Sequence, residues 1–303
     1  MPKSSRVTRQ RAERAAAALR RQQQQRRSRF LWAGTAVGAV LLVVLALVLV
    51  KVVGGGSSSA PQQAAATASP QIVQAVTGVP SGVLNQIGLG KVDTLPKAIT
   101  GQPALTAGGK PLVVYVGAEY CPYCAAQRWG MVVALSRFGS FTDLKTTSSA
   151  SADVFPNTAT LSFHGATYTS DYLTFQGVET SSNVRQGSGY APLDTLTAQQ
   201  SQLLNTYDAP PYVAAGSAGS IPFIDFGNKF IMSGASISPQ LLAGKSASDI
   251  ATALSDPSSP IAQAVNGSAN AFTAAICQVT GGQPGAVCTS PAVTAYQGKL
   301  GAG

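Results

Sequence analysis

The sequence predicts an α/β domain carried behind one transmembrane helix, and three observations predict it. Residues 30–50 run for 21 positions without a charge. The apolar run 111–116 passes through a turn into Cys121-Pro122-Tyr123-Cys124 and on into a helix-like segment. Two short apolar runs, 221–226 and 230–232, flank Gly227-Asn228-Lys229. Strand and helix signals alternate along the chain, which is how a layered α/β domain reads.

The 303 residues are enough for one medium domain or two small ones. Hydrophobic residues make up 45% and charged residues 11%. That balance suits a membrane segment joined to a Ser/Thr/Ala/Gly-rich outer domain better than a cytosolic enzyme. The formal net charge of +9 is unevenly spread: residues 1–29 hold ten of the 21 Lys and Arg against one acid, Glu13, and residues 54–303 are close to neutral. Nothing in the folded part therefore argues for a nucleic-acid partner. Two readings of the basic stretch stand: a solvated cytoplasmic tail that sets topology, or a segment that binds anionic lipid or nucleic acid.

About 20 apolar residues cross a bilayer core as a helix, so 30–53 is the expected transmembrane signal anchor, in contact with membrane lipid. Trp32 falls at the inner interface and Lys51 can snorkel outward. Basic residues before the span and almost none just after it put the N-terminus in the cytoplasm and the rest outside. A cleaved signal peptide competes, but its apolar core runs only about 7–15 residues. Residues 54–70, rich in Gly and Ser and then in Pro, Gln and Ala, read as a flexible linker. Residues 71–290 form the outer domain. Ile72, Val73, Val76 and then Val83, Leu84, Ile87 have helical spacing broken at Gly78-Val79-Pro80, which predicts two short helices on the edge of the sheet. Residues 105–110 read as a strand and turn leading into the central strand.

That central strand, 111–116, is apolar throughout and reads as buried. Positions i and i+3 are neighbours on one helix face, so a helix opening at Pro122 sets Cys124 one turn from Cys121. Proline suits the first turn, where its missing N–H costs nothing. Backbone donors and the positive end of the helix dipole favour a thiolate at Cys121. Cys121 is then the attacking sulfur and the deeper Cys124 the resolving one. Two other readings compete. A Cys-x-x-Cys can be half of a zinc site, but Cys277 and Cys288 have ten residues between them and the single histidine, His164, has no companion. The pair can also be a purely structural disulfide.

The helix 122–138 is amphipathic, with Met131, Val132, Leu135 and Phe138 inward. Trp129 reads as core and Arg128 as a source of local positive potential. Residues 141–147 read as the next strand. Residues 148–193 are polar, and alternation in 158–163 and 168–175 around Gly165 predicts a β-hairpin with His164 as a surface turn residue. Asp153, Asp171 and Glu179 are scattered and give no paired-carboxylate signal. A helix at 196–207, capped by Thr195 or Thr197, precedes Ile221-Pro222 at a strand start and a Gly-Asn hairpin turn. A cis Ile221–Pro222 bond would turn that backbone toward the dithiol. A helix capped by Ser246 or Ser248 and a long helical run over 260–279 follow. A Cys277–Cys288 bridge across the Gly/Pro loop would contribute about 3 kcal/mol by the loop-entropy model; a second redox pair relaying electrons is the other reading. Residues 291–303 read as a frayed tail.

Together, the strand, Cys121-Pro122-Tyr123-Cys124 at a helix start and Ile221-Pro222 opening a later strand resemble the thioredoxin superfamily. The residues between the cysteines resemble those of glutaredoxins, and export and size resemble Dsb-type oxidoreductases. The outer region as a whole resembles a prokaryotic family of membrane-anchored, uncharacterised thioredoxin-like proteins. The resemblance implies a central mixed sheet flanked by helices, a β-rich insertion at about 148–210 and a C-terminal helical extension. It implies Cys121 as nucleophile, Cys124 as resolving thiol and Pro222 as the cis-proline. Ile221 and Tyr123 are the implied substrate-binding positions, with the Ile221 backbone pairing with substrate as an added strand. The implied activity is thiol–disulfide exchange on exported cysteine-containing proteins, oxidising or isomerising rather than reducing outside the cytoplasm. No cofactor is implied; a membrane redox partner resets the dithiol. The chain departs from the pattern in the roughly one hundred residues between Cys124 and Pro222, and in Tyr123, where several exported relatives carry histidine or glycine. A thioredoxin-like binding module with a structural disulfide is a different class of function, and a metallochaperone using His164 is a third.

Overall fold

A computed structural model of the chain describes residue 62 and residues 64–300. The basic tail, the transmembrane span and most of the linker expected from the sequence lie outside these residues. Among the described residues no helix is long and apolar enough to cross a membrane. The N-terminal half carries β1 (Ala66–Thr67), α1 (Pro70–Thr77), α2 (Ser81–Ile87), β2 (Lys97–Ala98), β3 (Thr106–Ala107), β4 (Lys110–Gly117) and α3 (Pro122–Leu135). A β-rich stretch follows: β5 (Gly139–Thr142), β6 (Lys145–Ser148), β7 (Ala159–Ser162), β8 (Thr167–Ser170), β9 (Thr174–Glu179), β10 (Ser181–Gln186) and β11 (Gly189–Pro192). Then come α4 (Ala198–Tyr207), β12 (Phe223–Phe226), β13 (Phe230–Ser233), α5 (Ala247–Ala253), α6 (Pro260–Val279), α7 (Gly285–Cys288) and α8 (Pro291–Gln297).

The main sheet is mixed, in the order β2-β13-β12-β4-β3, with β9 also pairing β4. β4 and β9 run parallel from Leu112↔Thr174 to Gly117↔Glu179, and β12 lies antiparallel to both β4 and β13. β4 is apolar from Pro111 to Val116 because both faces are covered there. Successive side chains alternate: Val113 and Tyr115 join the core shared with α3 and α6, while Leu112, Val114 and Val116 join a second core with Leu203 and Tyr207 of α4. The turn between β12 and β13 puts Gly227 and Asn228 at φ 66° and 56°, the paired left-handed residues that a tight hairpin demands. Thr197 and Ser246 each close a capping box, at α4 and α5. α6 is buried on nearly every side, by α3, α2 and α8. Gly130 lets α3 come close, since a Cβ there would stand 3.2 Å from both Phe272 and Ser268 of α6.

Four expectations are corrected. α1 and α2 pack on other helices, α1 on α5 and α3 and α2 on α6 and α8, and not on the sheet edge; Val76 and Leu84 find apolar partners there. Residues 139–148 and 159–170 form one broken antiparallel ribbon in place of a hairpin about Gly165. β6 pairs with β7 from Ser148↔Ala159 to Lys145↔Ser162, and β5 pairs with β8 from Thr142↔Thr167 to Gly139↔Ser170. Asp143 (φ 58°) and Gly165 (φ 77°) sit at the slip between the two registers, and 149–158 forms the tip. Residues 174–179 go instead to β4, where pairing within a larger covered sheet stabilises them more than an isolated hairpin can. The outer end of the linker is ordered: Ala66 and Thr67 pair with β6, and the Gln62 side chain reaches Ser148, Ser149 and Ser151. They satisfy strand-edge groups that would otherwise lack partners. Finally, the expected frayed tail contains α8, whose Ala292, Val293 and Tyr296 are buried, with the Tyr296 hydroxyl donating to the Leu89 carbonyl. Cys277 and Cys288 are joined, Cα to Cα 5.5 Å, and tie the end of α6 to α7.

Candidate functional site

β4 delivers the chain to a short turn, and α3 starts at Pro122. The turn is held by the Cys121 N–H on the Ala118 carbonyl (3.2 Å) and the Glu119 N–H on the Ser181 carbonyl (2.8 Å). Cys121 takes the N-cap place with extended backbone, and its sulfur accepts the Cys124 N–H at 3.3 Å. A thiol thus fills the role a serine or aspartate usually fills at a helix start. From the other side, the cis Ile221–Pro222 peptide presents the Ile221 carbonyl 3.7 Å from the Cys121 sulfur. Of the residues singled out from the sequence, Cys121 and Cys124 therefore meet the Ile221–Pro222 peptide, and Tyr123 lies between the two cysteines on the first turn of α3. Tyr123 is 43% exposed and sets its ring edge-on to Phe155 at 5.9 Å. Tyr120 stacks on Tyr190 at 4.4 Å, and Arg185 covers the far side of Tyr190 at 4.6 Å. The other two cysteines, Cys277 and Cys288, are bonded to each other, so Cys121 and Cys124 are the free pair.

The two sulfurs differ electrostatically. Hydrogen bonding to the Cys124 side chain pulls the Cys121 thiol below its ordinary range against the opposing effect of burial, and the Cys124 N–H, the Arg128 charge and the Tyr123 N–H add to the pull. Cys124, wholly buried, is pushed well up by desolvation. One sulfur is therefore readied as a thiolate and the other is kept as a thiol.

Behind the dithiol lies a buried charged cluster built on Arg128, the residue expected to raise the local positive potential. Arg128 is completely buried and grips Glu179 through Nε–H to Oε1 (2.7 Å) and Nη2–H to Oε2 (2.6 Å). Burial works against the Arg128 charge, but the charge and hydrogen bonds of Glu179 oppose it and the guanidinium stays protonated. Burial pushes the Glu179 carboxyl up, and Arg128 draws it back. Glu119, also buried, accepts the Ser162 hydroxyl at 2.6 Å. The Tyr115 hydroxyl is buried with no hydrogen-bond partner, and its ring lies 6.0 Å from the Arg128 guanidinium carbon. His164, expected as a surface turn residue, is half-buried with Nδ1 2.7 Å from Asp194 Oδ1. Asp194 Oδ2 also accepts the Glu179 N–H at 3.0 Å.

The signal that singled out Arg128 is its place seven residues after Cys121 and four after Cys124, on the same helix face; its burial and its partner were not in that signal. Glu179 carries no such local signal, because only the parallel pairing Gly117↔Glu179 brings it to the site. Among the described residues no group of three or more His, Cys, Asp and Glu is placed to hold a metal ion. The arrangement offers one ionisable sulfur at the mouth, one buried sulfur behind it, and a backbone carbonyl facing the first.

No curated protein and no solved structure is detectably similar to the chain. A family model does match, over residues 99–278, a stretch that takes in both free cysteines, Pro222 and the buried charged cluster. With more than half of its length matched, the chain belongs to the family described as "Domain of unknown function (DUF929)".

Proposed function

We propose that this chain is a membrane-anchored, extracytoplasmic thiol–disulfide oxidoreductase of thioredoxin-like build, acting on exported cysteine-containing proteins. The observation that carries the reading is Cys121 at the N-cap of α3, with the Cys124 N–H on its sulfur and the Ile221 carbonyl facing it. The order β13-β12-β4-β9, with α3 in the crossover between the parallel strands β4 and β9, supports the thioredoxin-like build. Anchor and orientation rest on the uncharged run 30–50 and the basic residues before it.

In the oxidising direction, a substrate thiolate attacks Cys121 of the Cys121–Cys124 disulfide. The new bond joins substrate sulfur to Cys121, and the electron pair of the broken bond leaves on Cys124, which takes a proton. A second substrate thiolate then attacks the first substrate sulfur and releases Cys121 as thiolate. The substrate dithiol loses two electrons and two protons; the protein gains both electrons and one proton, and solvent takes the other. A disulfide on a membrane partner resets the pair by the reverse exchange.

The full-length protein in detergent is expected to refold reduced, denatured RNase, and Cys121→Ala is expected to lose at least about a thousandfold of that activity. Full activity in Cys121→Ala overturns the assignment. A second reading, a binding module with a structural disulfide, draws on the burial of both sulfurs, 6% exposed for Cys121 and 0% for Cys124. It expects the two thiols to be alkylated equally slowly, whereas exchange chemistry expects Cys121 to react well ahead of Cys124.

A further inference from the structure

A buried guanidinium is costly, and replacing a buried ion pair by apolar residues is often neutral or stabilising. Arg128 is fully buried on α3, and its place has three features that a simple packing role does not require. It follows Cys124 by four residues and Cys121 by seven, so it stands behind both sulfurs on one helix face. Its Nη2 also donates, at 2.7 Å, to the Ala118 carbonyl, the same oxygen that accepts the Cys121 N–H. Its Nη1 is buried with no hydrogen-bond partner, so the guanidinium is not fully spent on Glu179.

We propose that Arg128 is a positioning residue that biases the dithiol toward its reduced form and so makes the oxidised domain an electron acceptor for exported dithiols; this rests on the oxidoreductase reading above. The physical reason is charge balance. The Cys121–Cys124 disulfide carries no charge. The reduced pair carries one whenever Cys121 is a thiolate. A fixed cation in a poorly polarisable interior stabilises the second form alone. The Arg128 charge works toward the thiolate at both cysteines, and the Glu179 charge works against it at Cys124. Glu179 therefore both holds Arg128 in place and moderates it. Glu119, the other carboxylate of the cluster, is committed to the Ser162 hydroxyl. Tyr115 over the guanidinium is a neutral phenol, its pKa pushed well up by burial, and does not cancel the charge.

The test is the equilibrium between the full-length protein and glutathione, in detergent, for three proteins. Glu179→Gln removes the moderating charge and is expected to move the constant about tenfold toward the reduced pair, equivalent to about 30 mV. The double variant Arg128→Met with Glu179→Gln removes both charges at similar volume and is expected to move it about tenfold the other way. The pH midpoint of Cys121 alkylation should fall in the first variant and rise in the second. A merely structural ion pair gives shifts of the same sign, or none beyond twofold, and either result overturns the proposal. If the double variant does not fold, Glu179→Gln decides alone: a shift toward the reduced pair supports the role, and no shift or the opposite shift overturns it. Failure of the wild-type Cys121–Cys124 pair to exchange with glutathione at all overturns the oxidoreductase reading itself. A wild type that exchanges while its variants stay unmoved overturns only the role of Arg128.

Discussion

Two cysteine pairs sit in one domain under different physics. Cys121 and Cys124 lie three residues apart at a helix start, where a main-chain N–H and an opposing carbonyl meet the Cys121 sulfur and the charge of a buried guanidinium acts on both. Cys277 and Cys288, eleven apart, join the end of α6 to α7 within a core of apolar side chains. Each sulfur of the first pair sits in a different electrostatic environment, and the second pair closes a loop. The contrast teaches that spacing only permits a dithiol to be reactive. The dipoles and charges around the sulfurs decide whether it is readied for exchange or serves as a clasp.

The largest effect that separates the pairs is on exchange. Cys121→Ala should abolish RNase refolding, while the double variant Cys277→Ala with Cys288→Ala should retain it within about threefold, provided the assay stays below the melting temperature. Stability should show the reverse. The Cys277/Cys288 double variant is expected to lose about 3 kcal/mol in urea unfolding, and Cys121→Ala no more than about 1 kcal/mol; equal losses would erase the distinction. Next in size is the packing at the end of β4. A Cβ on Gly117 would clash with the Tyr115 hydroxyl, so Gly117→Ala should cost about 1–3 kcal/mol, read from the urea midpoint. A subtler effect is on acidity. Cys121 should be alkylated with a pH midpoint below about 8.5, the value for an ordinary thiol, and Cys124 above it. Equal midpoints would make the first pair as inert as the second. Smallest is Tyr115→Phe, which removes a buried hydroxyl without a partner and should stabilise the domain by up to about 1 kcal/mol.

The strand-to-dithiol unit was legible in the sequence because its signals are local. An unbroken apolar run, a proline at the first helical position and cysteines at helical spacing each act within a few residues, and β4, Pro122 and α3 follow from them. The β12–β13 hairpin was legible for the same reason, through Gly227 and Asn228. What the sequence hid depends on long-range pairing. The alternation around Gly165 signals strands correctly but names no partner, and each strand took its partner from 139–148 or from β4. Arg128 could be placed beside the dithiol by helical spacing, but its partner Glu179 could not, since 51 residues separate them. The α8 segment looked dispensable because its few apolar residues, Val293 and Tyr296 among them, are too sparse to announce that α6 needs covering.

α6 has one consequence for anyone who would isolate the domain. The family match stops at residue 278, within the last turn of that helix, and starts after α1 and α2. Yet the walls around α6 are built from both flanks, by α2 on one side and α8 on the other. A fragment trimmed to the matched span would shed those walls together with Cys288, and strand the buried Asn270 amide that donates to the Leu84 and Gly88 carbonyls. The span matched by the family model is smaller than the packed unit, and soluble expression should begin before residue 66 and run to residue 300.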